Sequence, residues 1–407
     1  MSWEYIRLGD VCTKIGSGAT PKGGATAYID EGTSFIRSQN IYNLEFSHEG
    51  LVHITEDAAK KLNGVAVQKD DVLINITGDS VARTCMVPDA VLPARVNQHV
   101  AIVRPDSNRL NPRFLNYYLT SPYMQSLMLG LAVGKGASRN AMTKDMIANF
   151  DILCPPIEIQ ESIVGILSTY DALIENNQRQ IKLLEEAAQR LYKEWFVDLC
   201  FPGHENTKIT DGIPEGWRMA VLSEIASVNK ESISKQYPYD YVDYIDIGAV
   251  SKGQINSVTR LSTKDAPGRA KRIAFDGDVL WGMVRPNLKS YALVFHPKET
   301  SVFSTGFAIL HAEKVPFSFL YCHVTQDEFV SYLINCTNGA AYPAVKPSHF
   351  ENAVLLVPTD MVLSKFHSLV GQMFRQAEIL EQKNQQAIEA RDRLLPKLMS
   401  GEIEVEK

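Results

Sequence analysis

At 407 residues, 45% hydrophobic and 22% charged, the chain has the composition of a soluble globular protein with room for two or three domains. No apolar run approaches the ~18 residues of a membrane span, and Met1-Ser-Trp-Glu-Tyr-Ile-Arg lacks the basic and apolar regions of a signal peptide, so a cytoplasmic location is expected. A formal net charge of −6 argues weakly against nucleic acid, and six scattered cysteines without a C-x-x-C pair argue against a disulfide frame or a zinc site.

Residues 1–155 read as a mixed, strand-rich domain. It opens on Trp3-Glu-Tyr-Ile-Arg-Leu8-Gly9-Asp10-Val11, and Val72-Leu-Ile-Asn-Ile-Thr and Val100-Ala-Ile-Val are short β-rich runs bounded by Asp, Gly and Pro. Pro155-Pro156 stops the domain. Residues 156–200 read as a long helix with apolar positions at Ile159, Ile163, Ile166, Tyr170, Leu173, Ile181, Leu184, Ala188, Leu191 and Trp195. Steps of three and four alternate except around Asn177, where two steps of four meet, as in a coiled-coil seam with one polar interruption. At ~1.5 Å per residue, about forty residues span ~60 Å. The turn-rich segment 201–216 is a linker.

The pattern then repeats. A second domain, 217–358, opens on Trp217-Arg-Met-Ala-Val-Leu222-Ser223-Glu224-Ile225, and Asp278-Val279-Leu280 answers Asp71-Val72-Leu73. A final helix, 359–403, follows the same grid through Leu363, Phe366, Val370, Met373, Ala377, Leu380, Asn384, Ala387, Arg391, Leu394 and Leu398, with Pro396 expected to kink or end it. The offset is 217 − 3 = 214 at the start and 393 − 190 = 203 at the end, too long for a solenoid unit. The expected fold is α+β: two similar mixed α/β domains separated by two long helices that form an antiparallel coiled coil with pseudo-two-fold symmetry. Two helices buried in separate globular cores would read the same way.

Charge is unevenly distributed. Residues 157–200 hold eight acids and four bases, whereas 252–291 hold eight bases and three acids. A DNA surface confined to the domains is compatible with an acidic total. Catalytic motifs fail on inspection. Gly130-Leu-Ala-Val-Gly134-Lys135-Gly136 misses the spacing of a phosphate loop, and Cys154-Pro-Pro-Ile157 lacks the polar and aromatic residues of an adenine-methyltransferase loop. The nine histidines are dispersed, so neither a metal nor a cofactor site is expected on this chain.

Polar clusters suit recognition better. Arg37-Ser38-Gln39-Asn40 lies between apolar anchors; Arg pairs with guanine and Gln or Asn with adenine in the major groove. A strand end with solvated polar residues fits equally. Thr77, Arg83, Asn97 and Gln98 extend the set, and Arg285, Asn287 and Lys289 correspond in place to the Thr77–Arg83 region. Lys135, Ser138 and Arg139 in a glycine-rich loop, with Lys144, suit phosphate contact, as do Arg269, Lys271 and Arg272; Tyr342 and Lys346 correspond to Asn140–Thr143.

Taken together, the whole chain resembles the specificity subunit of type I restriction-modification enzymes. The resemblance rests on the duplicated Trp-x5-Leu-x-Asp/Glu-apolar opening, on Phe35-Ile-Arg-Ser-Gln-Asn40, on Asp71-Val-Leu-Ile before Thr77-Gly, and on Asn97-Gln98. It rests also on Pro155-Pro156-x-x-x-Gln160, on Trp195-Phe-Val-Asp198 with Phe201-Pro-Gly, and on the tail Leu394–Gly401. Pro358-Thr-Asp departs from the family's helix entry and leaves the start of the last helix open. The resemblance implies two target-recognition domains that each read half of a bipartite site in double-stranded DNA. It implies helices that set the gap and dock two methyltransferase subunits, and restriction subunits that join them. S-adenosylmethionine is then expected on the methyltransferase partner, and no membrane is involved. A coiled-coil scaffold without a DNA role is the rival from another class.

Overall fold

The structure is a computed structural model that describes residues 3–133, 140–234, 236–337 and 343–405. The chain divides into two compact units, residues 1–175 with 384–407, and residues 176–383. Each long helix therefore contributes one stretch to each unit.

In the first unit, strands Val72–Asn75 and Val100–Pro105 pair antiparallel at the centre of a four-stranded sheet flanked by Cys12–Ser17 and Thr84–Met86. All four residues of Val72–Asn75 are buried, because both faces of this sheet are covered. Side chains alternate accordingly. Val72, Ile74, Ala101 and Val103 join the core formed with Phe114, Leu115 and Met124 of the helices Pro112–Thr120 and Pro122–Ala132. Leu73, Val100 and Ile102 face the other way, onto Ile36 and Val96 of a second four-stranded sheet. The helix starts follow from local sequence. Asn111 and Ser121 accept N–H bonds as caps, each just before a proline at the first helical position.

The second unit repeats this topology. Its four-stranded sheet has the order Ala226–Val228, Phe307–Ala312, Val279–Gly282, Tyr291–Leu293, matching Cys12–Ser17, Val100–Pro105, Val72–Asn75, Thr84–Met86. Leu73 pairs with Ile102, and Leu280 pairs with Ile309, a shift of 280 − 73 = 309 − 102 = 207. The register ties every loop residue between these strands to a counterpart. The opening Trp-to-Leu step is the same in both units: Glu4–Arg7 pairs antiparallel with Asp151–Cys154, and Arg218–Val221 with Val354–Val357.

The same buried carboxylate stands at the head of the central strand in each unit. Asp71 accepts the Gln68 N–H and pairs with both arms of Arg104 at 2.7 and 2.8 Å. Asp278 accepts the Phe275 N–H and meets His311 Nδ1 at 2.7 Å. His311 is the counterpart of Arg104, since 311 − 104 = 207.

The long helices run Ile157–Tyr192, closing in a π-type turn Lys193–Val197, and Asp360–Ser400. In the first unit Arg391 donates to Asp171, which also accepts the Tyr117 hydroxyl, and Ile163 and Leu167 share a core with Leu395 and Leu398. In the second unit Ile181 clusters with Ala377 and Leu380. Rising numbers on one helix meet falling numbers on the other within each unit, so the packing is antiparallel.

Two expectations change here. Ile166 and Leu173 are 38% and 46% exposed, and the buried line instead runs Ile163, Leu167, Tyr170, Ile174, Asn177, Ile181, Leu184, Ala188. Apolar residues occupy neighbouring positions on this helix, so spacing alone permits either line; burial against the second helix selects the unbroken heptad. Asn177 then sits inside the seam at 3% exposure rather than at a break. The last helix also runs through Pro396 to Ser400. Four residues from the end, the proline removes one N–H bond of the final turns, and Gly401 in the left-handed region ends the helix. The departed entry at Pro358 does not delay it: the helix starts at Asp360, and Leu363 is buried where its counterpart Gln160 bonds Asn111 N–H, Arg109 O and Pro155 O.

Candidate nucleic-acid interface

In the first unit, four stretches far apart in sequence line one open groove of about 600 Å³. They are Ser38, Gln39 and Tyr42; Thr77 to Ser80 with Arg83; His99; and Asn140 with Ala141. The main chain brings them together. Strand Thr33–Ile36 ends in a short turn, Ser38–Asn40. Strand Val72–Asn75 ends where Asn75 Nδ2 donates to Ser38 O at 2.8 Å. Thr77 bridges Ala141, and the Gly78 N–H donates to Asn140 O at 3.0 Å.

Within the groove Thr77 Oγ1 and His99 Nδ1 lie 2.6 Å apart, and the Arg83 guanidinium lies 4.6 Å over the Tyr42 ring. Gln98 is exposed, bonded to Thr20 and 3.4 Å from His99 Nε2. Other candidates serve the loop itself. Asn40 is fully buried and spends its side chain on Arg37 N–H, Ser47 O and Glu49 O. Arg37 donates to Gly50 O at 2.6 Å and lies 5.4 Å over Tyr28, with Nε buried and unbonded. Asn97, 8% exposed, accepts the His99 N–H. Lys144 is exposed at the first position of the helix Lys144–Ala148. Lys135, Ser138, Arg139 and Tyr342 lie outside the described residues.

The equivalent place in the second unit has different chemistry. Register puts Ile247 at Ser38, Val284 at Thr77, Arg285 at Gly78, Ser290 at Arg83, Gly306 at His99 and Gly282 at Asn75. The main-chain frame persists: Val284 bridges Ala344, and the Arg285 N–H donates to Pro343 O at 2.8 Å. Ile247 sits over two glycines where the first unit has the side chains of His99 and Asn75. A Cβ on Gly306 would lie 2.0 Å from Ile247 Cδ1, and one on Gly282 would lie 3.9 Å from Ile247 Cγ2.

Arg285 and Lys289 bracket the turn Pro286–Leu288 with φ of 50° and 54°, a left-handed conformation costing about 1 kcal/mol for a residue with a side chain. The first unit uses Gly78 at the first of these positions. Lys289 donates to Asp327 at 2.6 Å, and Asn287 is exposed on the turn. Arg269 is tied to this site through Asp246, the counterpart of Arg37, at 2.6 Å, and through Tyr244. Lys271 and Arg272 lie on the strand Ala270–Ile273; Lys271 is exposed, and Arg272 bonds Ser232 at 3.4 Å. Lys346 is exposed ahead of the helix Pro347–Glu351.

Tyr42 and Ile247 were missing from the candidate set, whereas His99 ends the polar run Asn97-Gln98-His99. Aligning the two repeats strand by strand exposes Ile247, because it faces Ser38 at a position where the scaffold is otherwise equal.

A second cavity, of about 520 Å³, lies in the second unit, lined by Lys182, Lys193, Lys252, Lys289 and the partly buried Glu185. Burial pushes the Glu185 carboxyl up to about 7; Lys252 opposes the shift and Glu381 adds to it. Among the described residues, no group of His, Cys, Asp and Glu is placed to hold a metal ion, and no helix is long and apolar enough to cross a membrane.

Comparison with known proteins agrees with the repeat. Residues 1–186 match the model of the type I restriction modification DNA specificity domain. The chain is 25% identical to the type I restriction enzyme MjaIX specificity subunit of Methanocaldococcus jannaschii, over 100% of this chain and 94% of that protein. It is 21% identical to the HindI specificity subunit of Haemophilus influenzae, over 98% and 99%. The fold matches the crystal structure of the type I restriction-modification S subunit from M. genitalium with a TM-score of 0.57 at 13% identity, covering 98% of this chain and 96% of that one. The matched domain, its structural repeat in the second half, and the full-length similarity make the chain similar throughout to type I restriction-modification specificity subunits.

Proposed function

We propose that this chain is the sequence-specific DNA-recognition subunit of a type I restriction-modification system, and that each unit reads one half of a bipartite site. One observation carries this reading. The two units keep the same strands, register and main-chain bridges, yet replace nearly every side chain around one loop cluster. A catalytic site duplicated in this way would keep its reacting groups. A reading surface duplicated to recognise two different sequences would change them.

Residues 1–155 and 217–358 act as the recognition domains; the helical stretches 156–200 and 359–403 set the spacing and carry two methyltransferase subunits, with 201–216 as the connection. Restriction subunits join through that complex. The reacting chemistry, with S-adenosylmethionine, belongs to the methyltransferase partner, and this chain supplies position. In the first unit the readers are Ser38, Gln39, Thr77, Arg83, Gln98 and His99. In the second they are Arg285 and Asn287, with Arg269 held by Asp246. Lys144, Lys271 and Lys346 are suited to phosphate, which fixes position without reading sequence.

Footprinting with the full chain and its methyltransferase partner tests this. A protected site of two separated half-sites is expected, with binding that falls steeply as salt rises. Protection without sequence preference, or no protection, overturns it and leaves a protein-binding scaffold.

A further inference from the structure

Resting on the DNA-recognition reading, we infer that the second unit reads an A·T pair through the thymine 5-methyl group, with Ile247 as the contacting side chain, whereas the first unit reads its half-site by hydrogen bonds. Ile247 is half-buried at the centre of the loop cluster, seated on Gly306 and beside Gly282. Two polar groups of the first unit are lost beside it: Gly248 and Val284 stand where the first unit has Gln39 and Thr77, and Asp246 on its other side is taken up by Arg269 at 2.6 Å. A base edge in the major groove presents donors and acceptors, apart from the methyl group of thymine. Setting Ile247 against any other edge would strip water from a polar group and return no bond. The thymine methyl is the apolar feature that fits.

The site is also built to hold this residue. Glycine at 306 and at 282 makes the room, since any side chain at 306 would collide with Ile247. The counterparts His99 and Asn75 close that room in the first unit, where His99 meets Thr77 and Asn75 holds Ser38. Arg285, exposed beside Val284, gives the same surface a cation suited to a neighbouring guanine or phosphate.

The test uses unmodified full chain with its methyltransferase subunits. Methylated adenines mapped in DNA exposed to this complex give both half-sites. Synthetic duplexes then carry deoxyuridine in place of each thymine in turn, which removes the methyl group and keeps every hydrogen-bonding atom. One replacement should weaken binding about three- to fivefold, the value of one buried methyl group. All replacements in the other half-site should change binding less than twofold. With Ile247→Ala the sensitive replacement should lose most of its effect, and Gln39→Ala should shift preference only in the insensitive half. Insensitivity of every thymine in both halves overturns the inference, as does an effect that Ile247→Ala leaves unchanged. If the mapped duplex binds no better than a scrambled one, the DNA-recognition reading itself fails, a separate result. The deoxyuridine series needs no variant, so a folding defect in Ile247→Ala cannot hide the answer.

Discussion

The loop cluster at Ser38, Thr77 and His99 and its counterpart at Ile247, Val284 and Gly306 rest on one frame and differ in almost every side chain. In the first unit the frame surrounds an open polar groove; in the second an isoleucine lies over Gly306 and beside Gly282. Backbone and side chains here carry separate information. Strand pairing and two main-chain bridges hold the loops in place, so the side chains facing outward are unconstrained by folding. Asn40 and Arg37, by contrast, spend side-chain bonds on the loop's own main chain.

The comparison can be broken most decisively at the frame. Asp71→Ala strands the Arg104 guanidinium, 21% exposed, and should cost about 3–5 kcal/mol in chemical unfolding of the full chain. Asp278→Ala should cost clearly less, because His311 meets its carboxylate through one ring nitrogen whereas Arg104 donates two hydrogen bonds to Asp71. Equal losses would show that the two carboxylates act through their N–H bonds alone.

A second difference is confined to the unit holding Glu185. Its folded pKa of about 7 lies above the ordinary 4.5, so burial favours the protonated form. The resulting stability is fully present below the unfolded pKa and is lost as pH rises through about 7. Glu185→Gln should therefore raise the stability at pH 8 by about 2 kcal/mol and change it little at pH 4, as read from thermal melts. A gain that is the same at both pH values would remove the carboxylate as its cause.

Smaller effects sharpen the reading surface. Gln39→Ala should relax sequence preference at one position of one half-site by about 1 kcal/mol, at the low end for a base contact because Gln39 Nε2 already lies 3.3 Å from Gly50 O. Selection from randomised duplexes measures this; a change in both half-sites would contradict separate readers. Lys144→Ala should weaken binding to all sequences by under about 1 kcal/mol and lower the salt slope by about one, seen in a salt titration.

Much of this was legible beforehand for definite reasons. The Asp-Val-Leu strands mark positions where burial on two faces leaves little choice of residue, and the Trp-to-Leu opening ends in the buried Leu8 and Leu222. The groove was legible only in pieces, because Ser38, Thr77 and His99 meet through strand pairing that no local spacing encodes. Ile247 was illegible as a functional residue because an isoleucine after a strand reads as core; only its place opposite Ser38 distinguishes it. The seam of the first helix was misplaced by one position where Ile166 and Leu167, and Leu173 and Ile174, offer adjacent apolar choices. Asn40 and Asn97 look like readers in sequence because a polar side chain does not announce whether it faces water or its own backbone.

The constant offset of 207 between paired strands has a consequence for how such a protein can change. From Val72 through Met86, and again from Ala94 through Val103, the halves align without insertion or deletion, reader loop included. A genetic exchange that copies this span from one half into the other would leave the strands in register and carry one reading loop into the other's setting. The product would keep its fold and change its address, so new specificities lie one recombination event away instead of many point mutations.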